Sequence, residues 1–223
     1  EPKGDIPEAA YIQALIRDLE LALPLVWGRR VSSIFLGGGT PSLLSAGAVD
    51  TLLSAIRARI SINPDAEITL EANPGTVEAA KFKDFRAAGV NRISLGIQSF
   101  AEDKLQALGR IHNGREAHQA IDIAGRYFDN FNLDLMYALP QQTLAQAAQD
   151  VELALAYRPP HLSCYHLTLE PNTAFAHTPP ALPDDELSAD MQEMIEASLA
   201  SAAYQHYETS AFCQTGRQSQ HNL

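Results

Sequence analysis

Cysteine is scarce in this chain: two of its 223 residues, Cys164 and Cys213, lie far apart in the sequence. Disulfide-stapled scaffolds and cysteine zinc knuckles need several thiols at short, regular spacings. Both kinds of scaffold are therefore excluded, and no metal site can be built from cysteine alone. A chain of this length buries about 70% of its unfolded surface around one core, so we predict a single domain over residues 1–223.

Basic side chains are also few. Lys and Arg total 16 against 27 Asp and Glu, which gives a net charge of -11, and residues 159–216 contain no Lys or Arg at all. Nucleic-acid binding normally needs clustered basic residues, so nucleic acid is excluded as a partner. No apolar run approaches the roughly 20 residues that span a bilayer, and the first residues have no signal-peptide pattern. These absences predict a cytoplasmic protein.

Short strands and amphipathic helices alternate along the chain. The predicted strands are Val31–Leu36, Glu67–Glu71, Arg92–Leu95, Phe131–Met136 and Leu162–Leu167. The helical segments are one from an Asp5/Glu8 capping box to Pro24, one ending at Asn63-Pro64, one from about Val77 to Ala88 closed by Gly89, one around Ala117–Ala124, one opened by a Thr143/Gln146 capping box, and one from Asp184 to about Tyr204. Such βα repetition indicates a parallel sheet.

Polar residues at the strand exits distinguish between two architectures that contain a parallel sheet. A doubly wound sheet concentrates its ligand at one switch point, whereas a barrel collects side chains from the carboxyl ends of many strands. Here Gly37–Pro41, Glu71, Gln98 and Asp134 follow or end four successive strands. We therefore favour a barrel or partial barrel.

Several of these residues suit a small zwitterionic or phosphorylated ligand. Gly38, Gly39 and Thr40 expose backbone amides, although such a run is equally a tight turn. Glu71 could accept from an ammonium or a ribose, and Gln98 offers a donor and an acceptor. The remaining candidates are Arg110, which could pair with a carboxylate, and Asp134, for which ligand binding and a structural hydrogen bond are equally good explanations.

Five motifs in chain order resemble the radical S-adenosylmethionine (SAM) superfamily. They are Gly37-Gly38-Gly39-Thr40-Pro41, Glu71-Ala72-Asn73-Pro74, Gly96-Ile97-Gln98-Ser99, Leu108-Gly109-Arg110 and the segment Asp134–Pro140. In particular, they are similar to the branch of oxygen-independent coproporphyrinogen III oxidases and related heme chaperones. The resemblance implies an α/β fold, a partial (β/α)6 TIM-type barrel.

The resemblance also implies roles for individual residues. Gly38, Gly39 and Thr40 would hold the methionyl amino end of SAM, and Glu71 and Gln98 would make polar contacts to it. Arg110 would pair with the carboxylate of SAM, and Asp134 would lie near its ribose.

One feature of the family is missing. Its C-x-x-x-C-x-x-C loop, which binds a [4Fe-4S] cluster, follows the first strand, and this sequence contains neither the loop nor that strand. We therefore expect a truncated core that begins after the first strand, with a C-terminal domain cut off after about residue 206. We also expect this chain to hold no cluster and to be inactive in SAM cleavage.

The last third of the sequence distinguishes the two branches. Leu167–Thr173, Tyr207–Phe212 and the terminal His221-Asn222-Leu223 resemble the heme chaperones, in which a His-Asn motif is implicated in heme binding. The resemblance implies heme as cargo, His221 as a candidate heme residue, heme-requiring respiratory proteins as recipients, and peripheral membrane contact as a further property. The alternative is a coproporphyrinogen III oxidase, which decarboxylates two propionates through a 5'-deoxyadenosyl radical. A phosphate-binding barrel enzyme is a third hypothesis, but the strands that usually bind phosphate are missing.

Overall fold

The fold is one curled sheet with helices on its outer face. The computed structural model describes residues 6–75 and 79–223. The parallel strands are β1 (Arg30–Leu36), β2 (Ser61–Ala72), β3 (Arg92–Gln98), β4 (Phe131–Tyr137) and β5 (His161–His166), followed by the antiparallel strands β6 (Gln205–Glu208) and β7 (Ala211–Cys213). The sheet order is β1-β2-β3-β4-β5-β7-β6.

Helices connect the strands. They are α1 (Glu8–Ala22), α2 (Ala46–Arg57), α3 (Phe82–Ala88), α4 (Glu102–Ala107), α5 (Gly114–Tyr127), α6 (Leu144–Ala156), α7 (Ala174–His177) and α8 (Asp185–Ser201), with short 3-10 turns at Leu23–Leu25, Pro41–Leu43 and Gln220–Asn222. Within the described ranges, no helix combines the length and the apolar character needed to cross a membrane.

The strand order confirms the predicted fold class. Each parallel strand pairs with the next one in the chain, without the reversal that defines a doubly wound sheet. Sequential parallel pairing is the geometry of a barrel wall, so the five parallel strands form a partial TIM-type barrel.

Residues of opposite character alternate along the central strands. On β4, Leu133 and Leu135 are buried among the helices, while Asn132 and Asp134 point to the inner side of the sheet. Successive side chains of a strand point to opposite faces. The apolar core therefore lies between the sheet and its helices, where α5 contacts β3 and α6 and α8 contact β4.

Two helix starts and one helix end were predicted correctly. Thr143 and Gln146 form the expected capping box of α6, and the Asp184 side chain caps α8 through the amide of Leu187. Gly89 ends α3 with a φ of 108°, a conformation that glycine adopts without strain. Val77, the predicted start of this helix, lies outside the described residues.

The predicted end of the second helix was wrong. Helix α2 ends at Arg57, and Asn63-Pro64 lies within β2. The register of the β1–β2 pair shifts at this point, because Val31 pairs with Ile62 whereas Ser33 pairs with Glu67. Pro64 lies in this irregularity, where a residue without a backbone N–H is tolerated.

The Asp5/Glu8 capping box was also wrong. Pro7 occupies the N-cap position of α1, and Asp5 lies outside the described residues. The Glu8 carboxylate instead accepts hydrogen bonds from the backbone amide and hydroxyl of Ser45, the N-cap of α2. Glu8 thus joins two helices instead of capping its own.

The last helix and the end of the sheet also differ from the prediction. Helix α8 ends at Ser201, short of Tyr204, and residues 205–213 form the β6–β7 hairpin that pairs with β5. This hairpin continues the same sheet. A domain boundary near residue 206 stays a prediction.

We expect Leu133→Ala to lower the free energy of unfolding by about 2–5 kcal/mol, because the substitution leaves a cavity in the fully buried layer. Urea unfolding measures the change. Leu21→Ala is the matched control: Leu21 is 79% exposed, and we expect a change within about 0.5 kcal/mol. Equal losses in the two variants would contradict the position assigned to the core.

Candidate functional site

The inner face of the sheet encloses one large cavity of about 500 Å³. All five parallel strands contribute to its wall, and residues 219, 221 and 222 close one side. The lining residues are Phe35, Gly39, Thr40, Pro41, Glu71, Ala72, Asn73, Arg92, Ser94, Gly96, Gln98, Arg110, Asn132, Asp134, His161, Ser163, Tyr165, Ser219, His221 and Asn222. Most of them are polar, so the cavity suits a ligand with many hydrogen-bonding groups.

Six of the seven residues predicted to bind SAM line this cavity: Gly39, Thr40, Glu71, Gln98, Arg110 and Asp134. Gly38 is not in the lining, but its backbone amide donates a hydrogen bond to the Glu71 carboxylate. The structure also brings His221 into the same lining. Strand exits far apart in the sequence therefore meet at one concave surface, while the role of each residue toward a ligand stays a prediction.

The glycine run after β1 permits a close approach to β2. A Cβ atom on Gly37 would lie 3.0 Å from the Phe35 ring and 3.2 Å from the Glu71 carboxyl carbon, tighter than ordinary contacts. Gly38 has a φ of 92°, a conformation that favours glycine. The turn thus needs glycine both for its shape and to admit Glu71.

Gln98 lies at a distorted strand end. Its φ of 67° is in the left-handed region, and the β3–β4 register shifts between Leu95 and Gln98. A Cβ atom on Gly96 would lie 2.9 Å from Nε2 of the Gln98 side chain, so glycine at this position makes room for that side chain. Strain of this kind is concentrated at functional sites.

Asp134 is held by hydrogen bonds within the protein. Its carboxylate accepts from the Ser94 hydroxyl at 3.0 Å and from the Asn132 amide at 2.7 Å. Burial raises the pKa of Asp134, and these bonds, together with the positive charge of Arg92, oppose the rise. Asp134 therefore makes the structural hydrogen bonds and also lines the cavity, while its binding of a ligand stays a prediction.

Charged side chains of both signs line the cavity. Burial and the nearby Asp134 carboxylate raise the pKa of Glu71, and the hydrogen bond from Gly38 opposes this. Burial lowers the pKa of Arg110, whereas Asp134 raises it. The carboxylates of Glu71 and Asp134 and the guanidinium groups of Arg92 and Arg110 form a suitable environment for a zwitterion.

The base of the cavity contains a buried ion pair. Arg92 Nε lies 3.9 Å from Oε2 of Glu67, and both side chains are almost fully buried. Arg92 also donates to the Thr69 hydroxyl at 3.4 Å, while its Nε has no hydrogen-bond acceptor among the described residues. Glu67 in turn accepts from the Ser219 hydroxyl and the Gln220 amide, each at 3.0 Å.

His161 lies on β5 beside Asn132 of β4. Its Nδ1 is 2.6 Å from Oδ1 of Asn132, and its Nε2 is 2.6 Å from the Tyr207 hydroxyl. Burial and the positive charge of Arg92 lower the pKa of His161 to about 3. The scattered spacing of the histidines predicts a structural or solvated role for His161, and the structure places it in the cavity wall.

His221 lies at the rim of the cavity. Its ring stacks on Phe35 of β1, with the ring centroids 4.7 Å apart and an interplanar angle of 30°. The side chain is exposed, so an external ligand can reach it.

Sequence reasoning missed the residues of the cavity base and wall. Arg92, Ser94, Asn132, His161 and Ser163 alternate with apolar residues in the central strands. This period of two was the available signal, because polar residues at alternate positions of an otherwise buried strand indicate a polar inner face.

Cysteine contributes nothing to the cavity lining. Cys164 and Cys213 are buried free thiols, and burial raises the pKa of Cys164 to about 12. Within residues 6–75 and 79–223, no three His, Cys, Asp or Glu side chains are grouped so as to hold a metal ion.

The family model described as the radical SAM superfamily matches residues 11–154. The chain belongs to the radical SAM superfamily. Its fold is also found in coproporphyrinogen III oxidase (HemN) from Escherichia coli, with a TM-score of 0.84 and 28% identity over 94% of this chain and 49% of that chain. Elp3 from the archaeon Methanocaldococcus infernus shares the fold alone, with a TM-score of 0.61, 14% identity and coverage of 83% and 50%.

Among curated proteins, the chain is similar to heme chaperones. It is 53% identical over 222 residues to the heme chaperone HemW of E. coli and 51% identical over 226 residues to that of Haemophilus influenzae. Each alignment covers 99% of this chain and 59% of the relative. The chain therefore spans less than two thirds of the length of these relatives.

We expect His161 to remain neutral, with its proton on Nδ1, at about pH 5, where an ordinary histidine is mostly charged. Long-range ¹⁵N–¹H spectra of the imidazole measure this state directly. The unfolded chain takes up this proton below about pH 6.5, so the stability due to neutral His161 is present above that pH and is lost as the pH falls toward 3. An imidazolium signal from His161 at pH 5 would contradict the assignment.

Proposed function

We propose that this chain is the SAM-binding core of a heme chaperone of the HemW type, which binds heme and delivers it to heme-requiring respiratory proteins in the cytoplasm. The observation that carries the proposal is 53% identity to the E. coli heme chaperone HemW across nearly the whole chain. The polar cavity, whose lining includes His221, supports the proposal.

The residues of the cavity fit SAM by their chemistry. The guanidinium of Arg110 suits the methionyl carboxylate, because both groups are planar and hydrogen-bond in pairs. Glu71 and Gln98 offer acceptors to the ammonium, and Asp134 offers acceptors to the ribose hydroxyls. Gly39 leaves open space at its α-carbon, where a ligand could approach the backbone.

An iron-sulfur cluster does not fit this chain. Clusters of this family need three cysteine thiolates, but the sequence has two cysteines and both are buried. We therefore propose that the ligands of a [4Fe-4S] cluster lie outside this chain. Such a cluster would supply the electron for reductive cleavage of SAM, and Arg110, Glu71, Gln98 and Asp134 would bind and orient SAM.

Heme is the proposed cargo, and His221 is its candidate residue. An imidazole is a common axial ligand of heme iron, and His221 is exposed beside the aromatic ring of Phe35. A flat aromatic surface next to an imidazole also favours contact with a porphyrin.

Coproporphyrinogen III oxidase is the second candidate function, because HemN has the same fold at 28% identity. The chaperone is favoured by the much higher identity to HemW. Competition between heme and coproporphyrin III for the chain distinguishes the candidates, since a chaperone must retain the iron porphyrin preferentially.

We expect the chain alone to bind SAM with a Kd of about 1 mM or weaker, because a few hydrogen bonds must offset the entropy lost on association. A chemical-shift titration with SAM should reach saturation with the unmodified chain but not with Arg110→Ala, because the substitution removes a charged hydrogen bond to the ligand. Arg115→Ala, on the exposed side of α5 and outside the cavity lining, is the matched control. Micromolar binding without iron, or an equal effect of the two substitutions, would contradict this site.

We expect His221→Ala to weaken heme binding by at least about tenfold and to shift the Soret band, because an axial ligand is lost. Heme titration followed by absorbance measures both changes. The control is His206→Ala, because His206 is exposed on β6 and is absent from the cavity lining. If only the control alters the spectrum, heme binds elsewhere on the chain.

A further inference from the structure

A chain of hydrogen bonds connects the segment Ser219–Asn222 to Asp134. It begins at the Tyr207 hydroxyl oxygen, which accepts from the Ser219 amide at 3.1 Å and from the Asn222 side-chain amide at 3.2 Å. It continues from Tyr207 to His161 and from His161 to Asn132, each step at 2.6 Å. The last step joins Asn132 to Asp134 at 2.7 Å.

The direction of each bond follows from the chemistry of Asp134. The two carboxyl oxygens of Asp134 accept from the Ser94 hydroxyl and the Asn132 amide group, so Oδ1 of Asn132 faces His161. Because Oδ1 only accepts, the proton of the neutral imidazole lies on Nδ1 of His161. Nε2 is then an acceptor, and the Tyr207 hydroxyl donates to it.

Reversal of any one bond would place two acceptors or two donors face to face. Asn132 cannot rotate its amide group, since its Oδ1 would then meet the Asp134 carboxylate. The other tautomer of His161 would place a lone pair 2.6 Å from Oδ1 of Asn132. The four side chains therefore have one common arrangement, and buried networks of this kind are rigid when fully satisfied.

We infer that Tyr207 and His161 are positioning residues, which hold the Asp134 carboxylate through Asn132 and connect it to the segment Ser219–Asn222. The inference rests on the proposed function in one respect, namely that SAM is the ligand at Asp134. His221 lies within the connected segment, so the proposed heme side and the proposed SAM side of the cavity share one network. By linkage, a ligand that moves the segment changes affinity at Asp134, and the reverse holds equally.

The first test needs no ligand. Tyr207→Phe removes one hydroxyl and keeps the ring, and Tyr207 makes no hydrogen bond to Asn132 itself. We expect the side-chain amide signals of Asn132 and the Nε2 signal of His161 to shift in ¹⁵N–¹H spectra. Tyr127→Phe, on the outer helix α5, should leave the Asn132 signals unchanged. Unchanged Asn132 signals in Tyr207→Phe would overturn the inference.

The second test is a double-mutant cycle on SAM affinity. We expect Tyr207→Phe to weaken binding about three- to tenfold, as expected for loss of one hydrogen bond in a buried network. If Tyr207 acts through Asp134, the same substitution should have no further effect in an Asp134→Asn background. Equal losses in both backgrounds would mean that Tyr207 acts independently of Asp134, and the inference would fail.

The two tests separate failure of the inference from failure of the proposed function. If the unmodified chain binds no SAM, the proposed SAM site is wrong. The spectra of the ligand-free variants still decide whether the chain of hydrogen bonds from Tyr207 to Asp134 exists. If Tyr207→Phe does not fold, Asn222→Ala probes the same hydroxyl from its exposed end and should shift the Asn132 signals in a smaller degree. Circular dichroism of each variant verifies that the fold is retained.

Discussion

Polar side chains on the inner face of the sheet require hydrogen-bond partners within the protein. Charged and polar side chains lie there at positions that water reaches poorly, and a buried polar group without a partner destabilises the fold by about 1–3 kcal/mol. Asp134 meets the requirement through Ser94 and Asn132, and Asn132 meets it through His161. Tyr207 extends this chain of hydrogen bonds from His161 to Ser219 and Asn222.

The C-terminal segment is a part of the site for this reason. Ser219 donates to Glu67 through its hydroxyl and to Tyr207 through its amide, so one residue closes two parts of the polar interior. Tyr207 reaches His161 because the β6–β7 hairpin pairs with β5 and brings residue 207 close to the inner face. A short antiparallel extension of the sheet thus places Tyr207 between His161 and the segment Ser219–Asn222, part of which lines the cavity.

Much of the fold follows from local pattern, and the failures have identifiable physical causes. The alternation of apolar strand segments and helices predicted a parallel sheet, and polar residues such as Glu71 and Asp134 in these strands favoured the barrel. The end of α2 was misplaced because Pro64 is usually a helix stop, whereas here a register shift accommodates it in a strand. The β6–β7 hairpin was missed because its strands are short and have few apolar residues before Ala211.

The candidate site shows the same limit more sharply. Glu71, Gln98 and Asp134 could be predicted because each is a polar residue within or just after an apolar strand segment of the sequence. The hydrogen-bond partners of His161 could not be predicted, since they depend on a strand register that pairs it with Asn132 and on a hairpin 46 positions further along the chain. Long-range pairing of this kind has no local signature in one sequence.

The cavity does not need a bound group to hold its side chains in position. Its carboxylates, amides and imidazole are held mainly by one another: Asp134, Asn132, His161 and Tyr207 form an unbroken series, and Glu67 connects Arg92 with Ser219. Because these bonds are made within the protein, the side chains are in place before a ligand arrives, and less entropy is lost on binding. The wall of the cavity is therefore preorganised by hydrogen bonds within the chain itself.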